Sequence, residues 1–103
     1  MSTPSDTGNT NLDFLSELEL LLQSRKQEMP EGSYTTSLYQ KGIDKIAQKV
    51  GEEAVELVIA SKNSDEEETI YEAADLVYHL LVLLTEKEIP FDRVLSELKR
   101  RSR

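Results

Sequence analysis

Two short acidic groups carry the residue types and spacing best suited to chemistry: Glu52-Glu53-Ala54-Val55-Glu56 and Glu72-Ala73-Ala74-Asp75. Each holds two carboxylates three positions apart, which on an α-helix, at about 100° per residue, lie about 60° apart on one side. Glu53 and Glu56 share a side, with Glu52 nearby, and border an apolar stripe. Glu72 and Asp75 lead into a segment that is apolar nearly all round. Unpaired carboxylates are costly to bury and like charges at this spacing repel, so two such pairs facing each other across adjacent helices need cations. Several carboxylate oxygens on rigid elements are what hard divalent cations bind, and Mg²⁺ fits best. A di-iron bundle would need two Glu-x-x-His pairs, whereas His79 is the only histidine. An isolated Glu-x-x-Glu is ordinarily a solvated helix face. Here the second group interrupts an apolar helix and both fall in one hairpin, which favours a metal site over surface charge.

The elements that must position these groups are helices, and the expected fold class is all-α with four of them. The first runs from Leu12 to about Gln27, with Asn11 as N-cap, Pro30 as stop, and Phe14, Leu15, Leu18, Leu21 and Leu22 on one stripe. The second runs from about Thr36 to Lys62, its apolar positions Tyr39, Ile43, Ile46, Ala47, Val50, Ala54, Leu57 and Val58 following a helical period. Gly42 and Gly51 weaken it, either permitting close packing or simply being tolerated. The third opens on Ser64 and Glu67 at capping-box spacing, and its stretch Leu76 to Leu84 has no face suited to water. The fourth opens with Pro90 near its first position, presents Phe91, Val94, Leu95 and Leu98, and ends in Lys99, Arg100, Arg101 and Arg103. A tight connection at Lys62 to Ser64 makes the second and third helices an antiparallel hairpin that sets the two acidic groups face to face. Met1 to Asn11 has no apolar side chain after Met1 and is expected to be a disordered tail ahead of one domain, residues 12–103.

At 103 residues without cysteine, burial is limited, so a second subunit is expected to complete the bundle as a homodimer or larger homo-oligomer. The charge of −8 argues against nucleic acid as a partner. No apolar run is long enough for a membrane span, and with no signal-peptide pattern the expected compartment is the cytoplasm. Five of the 20 acids fall in the two acidic groups, so the acidity is concentrated where cations would bind.

These residues resemble the phosphoribosyl-ATP pyrophosphohydrolase family, within the all-α nucleoside triphosphate pyrophosphohydrolase superfamily. The superfamily pattern Glu-Glu-x-x-Glu followed by Glu-x-x-Asp stands at Glu52 to Glu56 and at Glu72 to Asp75. The narrower likeness lies in Ser33-Tyr34-Thr35 with Leu38, in Lys49-Val50-Gly51, and in Ala74 through Leu84. It covers nearly all of Leu12 to Leu98. The resemblance implies Mg²⁺-dependent hydrolysis of 1-(5-phosphoribosyl)-ATP to 1-(5-phosphoribosyl)-AMP and pyrophosphate, the second step of histidine biosynthesis. It also implies a dimeric or larger helical assembly. Carried over, Glu53, Glu56, Glu72 and Asp75 are the metal ligands, and Glu52 orients or deprotonates the attacking water or serves as another ligand. Some chains of this pathway fuse the next enzyme, the phosphoribosyl-AMP cyclohydrolase. That activity resembles a zinc chemistry with cysteine ligands, so the absence of cysteine here leads us to expect it on a separate chain.

Cleaving a phosphoanhydride asks for charge neutralisation and a water held in line, which bound metal can supply without a covalent nucleophile. No phosphate-binding Gly-x-x-x-x-Gly-Lys loop is present. Lys41, Lys45 and Lys49, four apart, either neutralise further phosphates or are solvated lysines. Lys49 precedes Glu53 by four, the weaker order for an ion pair, which favours the phosphate role. Tyr34 and Thr35 either contact substrate or cap the second helix. His79 reads first as a satisfied core histidine, and second as a hydrogen-bond partner of the Asp75 carboxylate four residues before it. The basic C-terminal run reads as dipole compensation ahead of phosphate binding. Two rival functions share parts of this pattern: a general nucleoside triphosphate pyrophosphohydrolase, and a non-enzymatic helical dimerisation module that would bind no Mg²⁺.

Overall fold

The computed structural model describes residues 10–102, and every regular element among them is an α-helix. Five helices follow in order: α1 (Asn11–Glu28), α2 (Tyr34–Lys41), α3 (Ile43–Ala60), α4 (Glu66–Glu86) and α5 (Phe91–Arg101). Residues 1–9, most of the stretch expected to form a tail, lie outside the described residues.

The expected second helix is divided. Gly42 adopts φ 94° and ψ −176°, a conformation open essentially to glycine alone, and it ends α2 and starts α3 at one residue. Four expected helices therefore become five, and Lys41 stands on a different helix from Lys45 and Lys49. Two caps also move by one residue. Thr10 caps α1 by accepting from the Asp13 amide, so Asn11 is already helical. Asp65, rather than Ser64, caps α4 by accepting from the Glu67 and Glu68 amides. A carboxylate there both satisfies two orphan amides and faces the positive end of the helix dipole.

The α3–α4 hairpin is the most extensive contact in the chain, with α1 laid on α4 and α2 between α1 and α3. Thr69 closes the hairpin near its turn by donating to the Ala60 carbonyl at 3.2 Å. The core is Leu22, Leu38, Tyr39, Ile46, Leu81 and Val82, bordered by Leu15, Leu18, Tyr78, Leu83 and Phe91. Two long-range polar contacts pin the ends of elements. Lys26 donates to the Glu86 carbonyl at 3.0 Å, at the negative end of α4. Glu19 accepts from the Phe91 amide at 2.8 Å, supplying α5 with the cap that Pro90 lacks.

Burial is incomplete along the hairpin. Val55, Val58 and Ile59 on α3, with Ile70, Tyr71 and Val77 on α4, are exposed. Within Leu76 to Leu84, expected to be shielded all round, only His79, Leu81 and Val82 are fully buried in this single chain, and Val77 is open. Gly51 has no neighbour within 4 Å of where a Cβ would sit, so no close packing requires it here.

Candidate metal centre

The α3–α4 hairpin brings the two acidic groups together. Glu53, Glu56 and Glu72 each offer a carboxylate oxygen, and these three oxygens lie within 4.8 Å of one another. Glu53 is 4% exposed, so its carboxylate is held inside the helix pair rather than on a solvated face. Its Oε1, and Oε1 of Glu72, are shut off from solvent with no hydrogen-bond partner among the described residues. Such atoms carry a desolvation penalty that only a donor or a cation removes.

The electrostatics agree. Burial, reinforced by the nearby Asp75 carboxylate and by repulsion from Glu56, pushes the Glu53 carboxyl above its ordinary range. The Glu72 carboxyl is also raised, first by desolvation and then by Glu56 and Glu53. Asp75 therefore touches the Glu53 end of the cluster, but it stands outside the three converging oxygens, and its side chain is 36% exposed. Carboxylates without softer ligands, on two rigid helices, fit a hard oxygen-preferring cation.

Glu52 is not one of the three converging carboxylates but shares Lys49 with Glu53. It accepts from Gln48 Nε2 at 2.8 Å and stands 3.5 Å from Lys49 Nζ. The Gln48 hydrogen bond, helped by Lys49, holds its carboxyl below the usual range. Gln48, one turn before Glu52, played no part in the sequence argument, although an i, i+4 amide is a recognisable partner.

Lys49 lies 3.4 Å from Glu53 Oε2, so the ion pair forms despite the less favourable order. Burial disfavours the ammonium, yet Tyr34, Glu53 and Glu52 outweigh it and hold the Lys49 pKa up. Lys45 is near enough to act on Glu52, while Lys41 is exposed on α2.

Tyr34 and Thr35 part company. The cap of α2 is Ser33, whose hydroxyl accepts from the Thr36 amide, so neither residue caps the helix. Tyr34 is half exposed and reaches His79. Thr35 is buried, its hydroxyl bonded to that of Tyr78. His79 is buried as the core reading has it, with Nδ1 donating to the Asp75 carbonyl at 2.8 Å and lying 3.8 Å from Asp75 Oδ1. The link from Tyr34 through His79 to Asp75 was hidden in the sequence because its ends lie on different helices.

Comparison with known proteins places the chain in a family. A family model described as phosphoribosyl-ATP pyrophosphohydrolase matches residues 15–102. The histidine biosynthesis bifunctional protein HisIE of Halalkalibacterium halodurans is 58% identical over 90 residues, 87% of this chain and 43% of that protein. The phosphoribosyl-ATP pyrophosphatase of Trichlorobacter lovleyi is 56% identical over 93 residues, 90% of this chain and 86% of that protein. That of Leptospira biflexa is 50% identical over 90 residues, covering 87% of this chain and 98% of the relative. The chain thus spans less than half of the bifunctional relative and most of the two pyrophosphatases. With the matched region enclosing α2 to α5 and both acidic groups, the chain belongs to the phosphoribosyl-ATP pyrophosphohydrolase family.

Proposed function

We propose that this chain hydrolyses 1-(5-phosphoribosyl)-ATP to 1-(5-phosphoribosyl)-AMP and pyrophosphate, with Mg²⁺ held by Glu53, Glu56 and Glu72 and bordered by Asp75. The observation that carries the reading is the convergence of three carboxylates, two of them with a buried oxygen that has no hydrogen-bond partner among the described residues. When bound, the metal supplies charge neutralisation at the phosphoryl oxygens and acidifies water.

The chain's own residues then have separable tasks. Water adds at phosphorus, the bridging P–O bond between the α and β phosphates breaks, and pyrophosphate leaves. Glu52 is exposed, kept ionised by Gln48 and Lys49, and beside the cluster, which suits it to accept the proton of the attacking water. Lys49 and Lys45 line the same helix and suit the leaving pyrophosphate, with exposed Lys41 farther out. Tyr34 offers a half-exposed ring and hydroxyl at the edge of the centre for substrate contact, and Thr35 supports it from the core through Tyr78.

The exposed apolar residues of α3 and α4 support assembly as a homodimer or larger homo-oligomer. We place the chain in the cytoplasm; no helix among the described residues is long and apolar enough to cross a membrane. The cyclohydrolase step, with its cysteine-bound zinc, falls outside these 103 residues, which contain no cysteine.

The test is pyrophosphate release from phosphoribosyl-ATP, measured beside ordinary and modified nucleoside triphosphates, with Mg²⁺ and with chelator. Release from phosphoribosyl-ATP that needs Mg²⁺ supports the reading. A strong preference for the other triphosphates would replace it with a general pyrophosphohydrolase, and no release with no Mg²⁺ binding would replace it with a non-enzymatic module.

A further inference from the structure

Lys49 is the one cation within ion-pair distance of the carboxylates Glu53, Glu56 and Glu72 among the described residues, and it is bound to Glu53. Its Nζ sits between Glu53 Oε2 at 3.4 Å and Glu52 Oε1 at 3.5 Å. The Lys49 side chain is 24% exposed, partly packed and partly open to water. The other Glu53 oxygen, Oε1, has no hydrogen-bond partner among the described residues. In the metal-free centre, then, a lone ammonium partly offsets several crowded carboxylates.

A divalent cation on Glu53 and an ammonium on the same carboxylate repel strongly where water is scarce. The lysine side chain is a flexible four-carbon stem with three donors, able to change partners without any movement of α3. We infer that Lys49 is the resident counter-ion of this centre, giving up Glu53 when a divalent cation arrives and passing to a phosphate oxygen of the substrate. The inference rests on the metal and phosphate reading above and deepens it. One side chain then couples the two ligands: phosphate draws Lys49 off Glu53 and tightens the metal, and by linkage the metal frees Lys49 and tightens phosphate.

Calorimetric titration of the full chain with Mg²⁺ alone, and again with saturating inorganic pyrophosphate, tests this on wild type, Lys49→Gln, Lys49→Arg and Lys45→Gln. Lys49→Gln is expected to bind Mg²⁺ alone about 5-fold more tightly or better. Pyrophosphate should enhance Mg²⁺ binding less in Lys49→Gln than in wild type. Lys45→Gln makes the same change in net charge without breaking a pair to Glu53, and should give a smaller gain. Lys49→Arg keeps the resident cation and should behave as wild type. Unchanged or weaker Mg²⁺ binding in Lys49→Gln, a gain no larger than that of Lys45→Gln, or a matching gain in Lys49→Arg would each overturn the exchange while leaving the metal centre standing. No saturable binding in any of the four proteins would overturn the metal reading itself, and the exchange with it.

Discussion

Tyr34 and His79, 45 positions apart, are joined by a 2.9 Å hydrogen bond from the phenol hydroxyl to the imidazole Nε2. Their rings meet edge to face with centroids 5.8 Å apart. Nδ1 of His79 donates to the Asp75 carbonyl, and in a neutral imidazole with its proton there Nε2 accepts and Tyr34 is the donor. This chain of bonds ties the first residue of α2 to the turn of α4 that carries Asp75. Tyr34→Phe leaves the ring contact but strands a buried nitrogen, and is expected to cost about 1 kcal/mol in urea unfolding. Stability equal to wild type would show that the bond adds nothing to the docking of α2.

The crowding of carboxylates gives the metal-free protein an unusual pH dependence. Glu53 and Glu72 both titrate above their ordinary value when folded, chiefly because of desolvation. Between the unfolded and folded pKa values the native state therefore binds more protons than the unfolded chain, and stability falls as pH rises through that window. Thermal unfolding in chelator should show these two residues favouring the fold as pH is lowered from neutrality toward the ordinary carboxylate range. Glu72→Gln should flatten that slope and raise the melting temperature at neutral pH, since among the described residues no cation lies within ion-pair distance of Glu72. A slope of the opposite sign at Glu72, obtained by comparing the two proteins, would mean that its carboxylate is not crowded.

The two helix glycines should respond to alanine with opposite signs. Gly42 has φ 94°, so Gly42→Ala forces a side chain into a region that L residues rarely adopt, at a cost of about 1–3 kcal/mol. Gly51 is helical with open space around it, so Gly51→Ala should stabilise by about 0.5–1 kcal/mol. Denaturant midpoints of both variants check this. A loss at Gly51 would instead place a second subunit against that side of α3.

Helical periodicity made most of α1, α3, α4 and α5 legible because apolar spacing survives any detail of packing. The division at Gly42 was not, since a glycine inside a periodic stretch reads the same whether it is tolerated or breaks the helix, and only its φ decides. The cap at Asp65 was missed for a related reason: Ser64 and Glu67 form a valid capping box one residue out of register. In the site, Glu53, Glu56 and Glu72 converge as the i, i+3 spacing and the hairpin require. Contacts between distant elements, such as Glu19 with the Phe91 amide and Tyr34 with His79, leave no periodic trace and needed the fold.

Geometry separates the contributions of Glu56 and Asp75. Glu56 supplies one of the three converging oxygens, whereas Asp75 meets the cluster from its Glu53 side, partly exposed and beside His79. Glu56→Gln and Asp75→Asn should each lower Mg²⁺-dependent pyrophosphate release by about 100-fold or more, as expected when a group that positions charge at the reacting phosphate is lost. Both should keep wild-type helix content by circular dichroism, because each removes a repelling charge rather than a packing contact. Mg²⁺ titration should distinguish them, with Glu56→Gln weakening binding more than Asp75→Asn. Equal losses would put Asp75 on the same footing as the trio, and full activity in either variant would remove that residue from the mechanism.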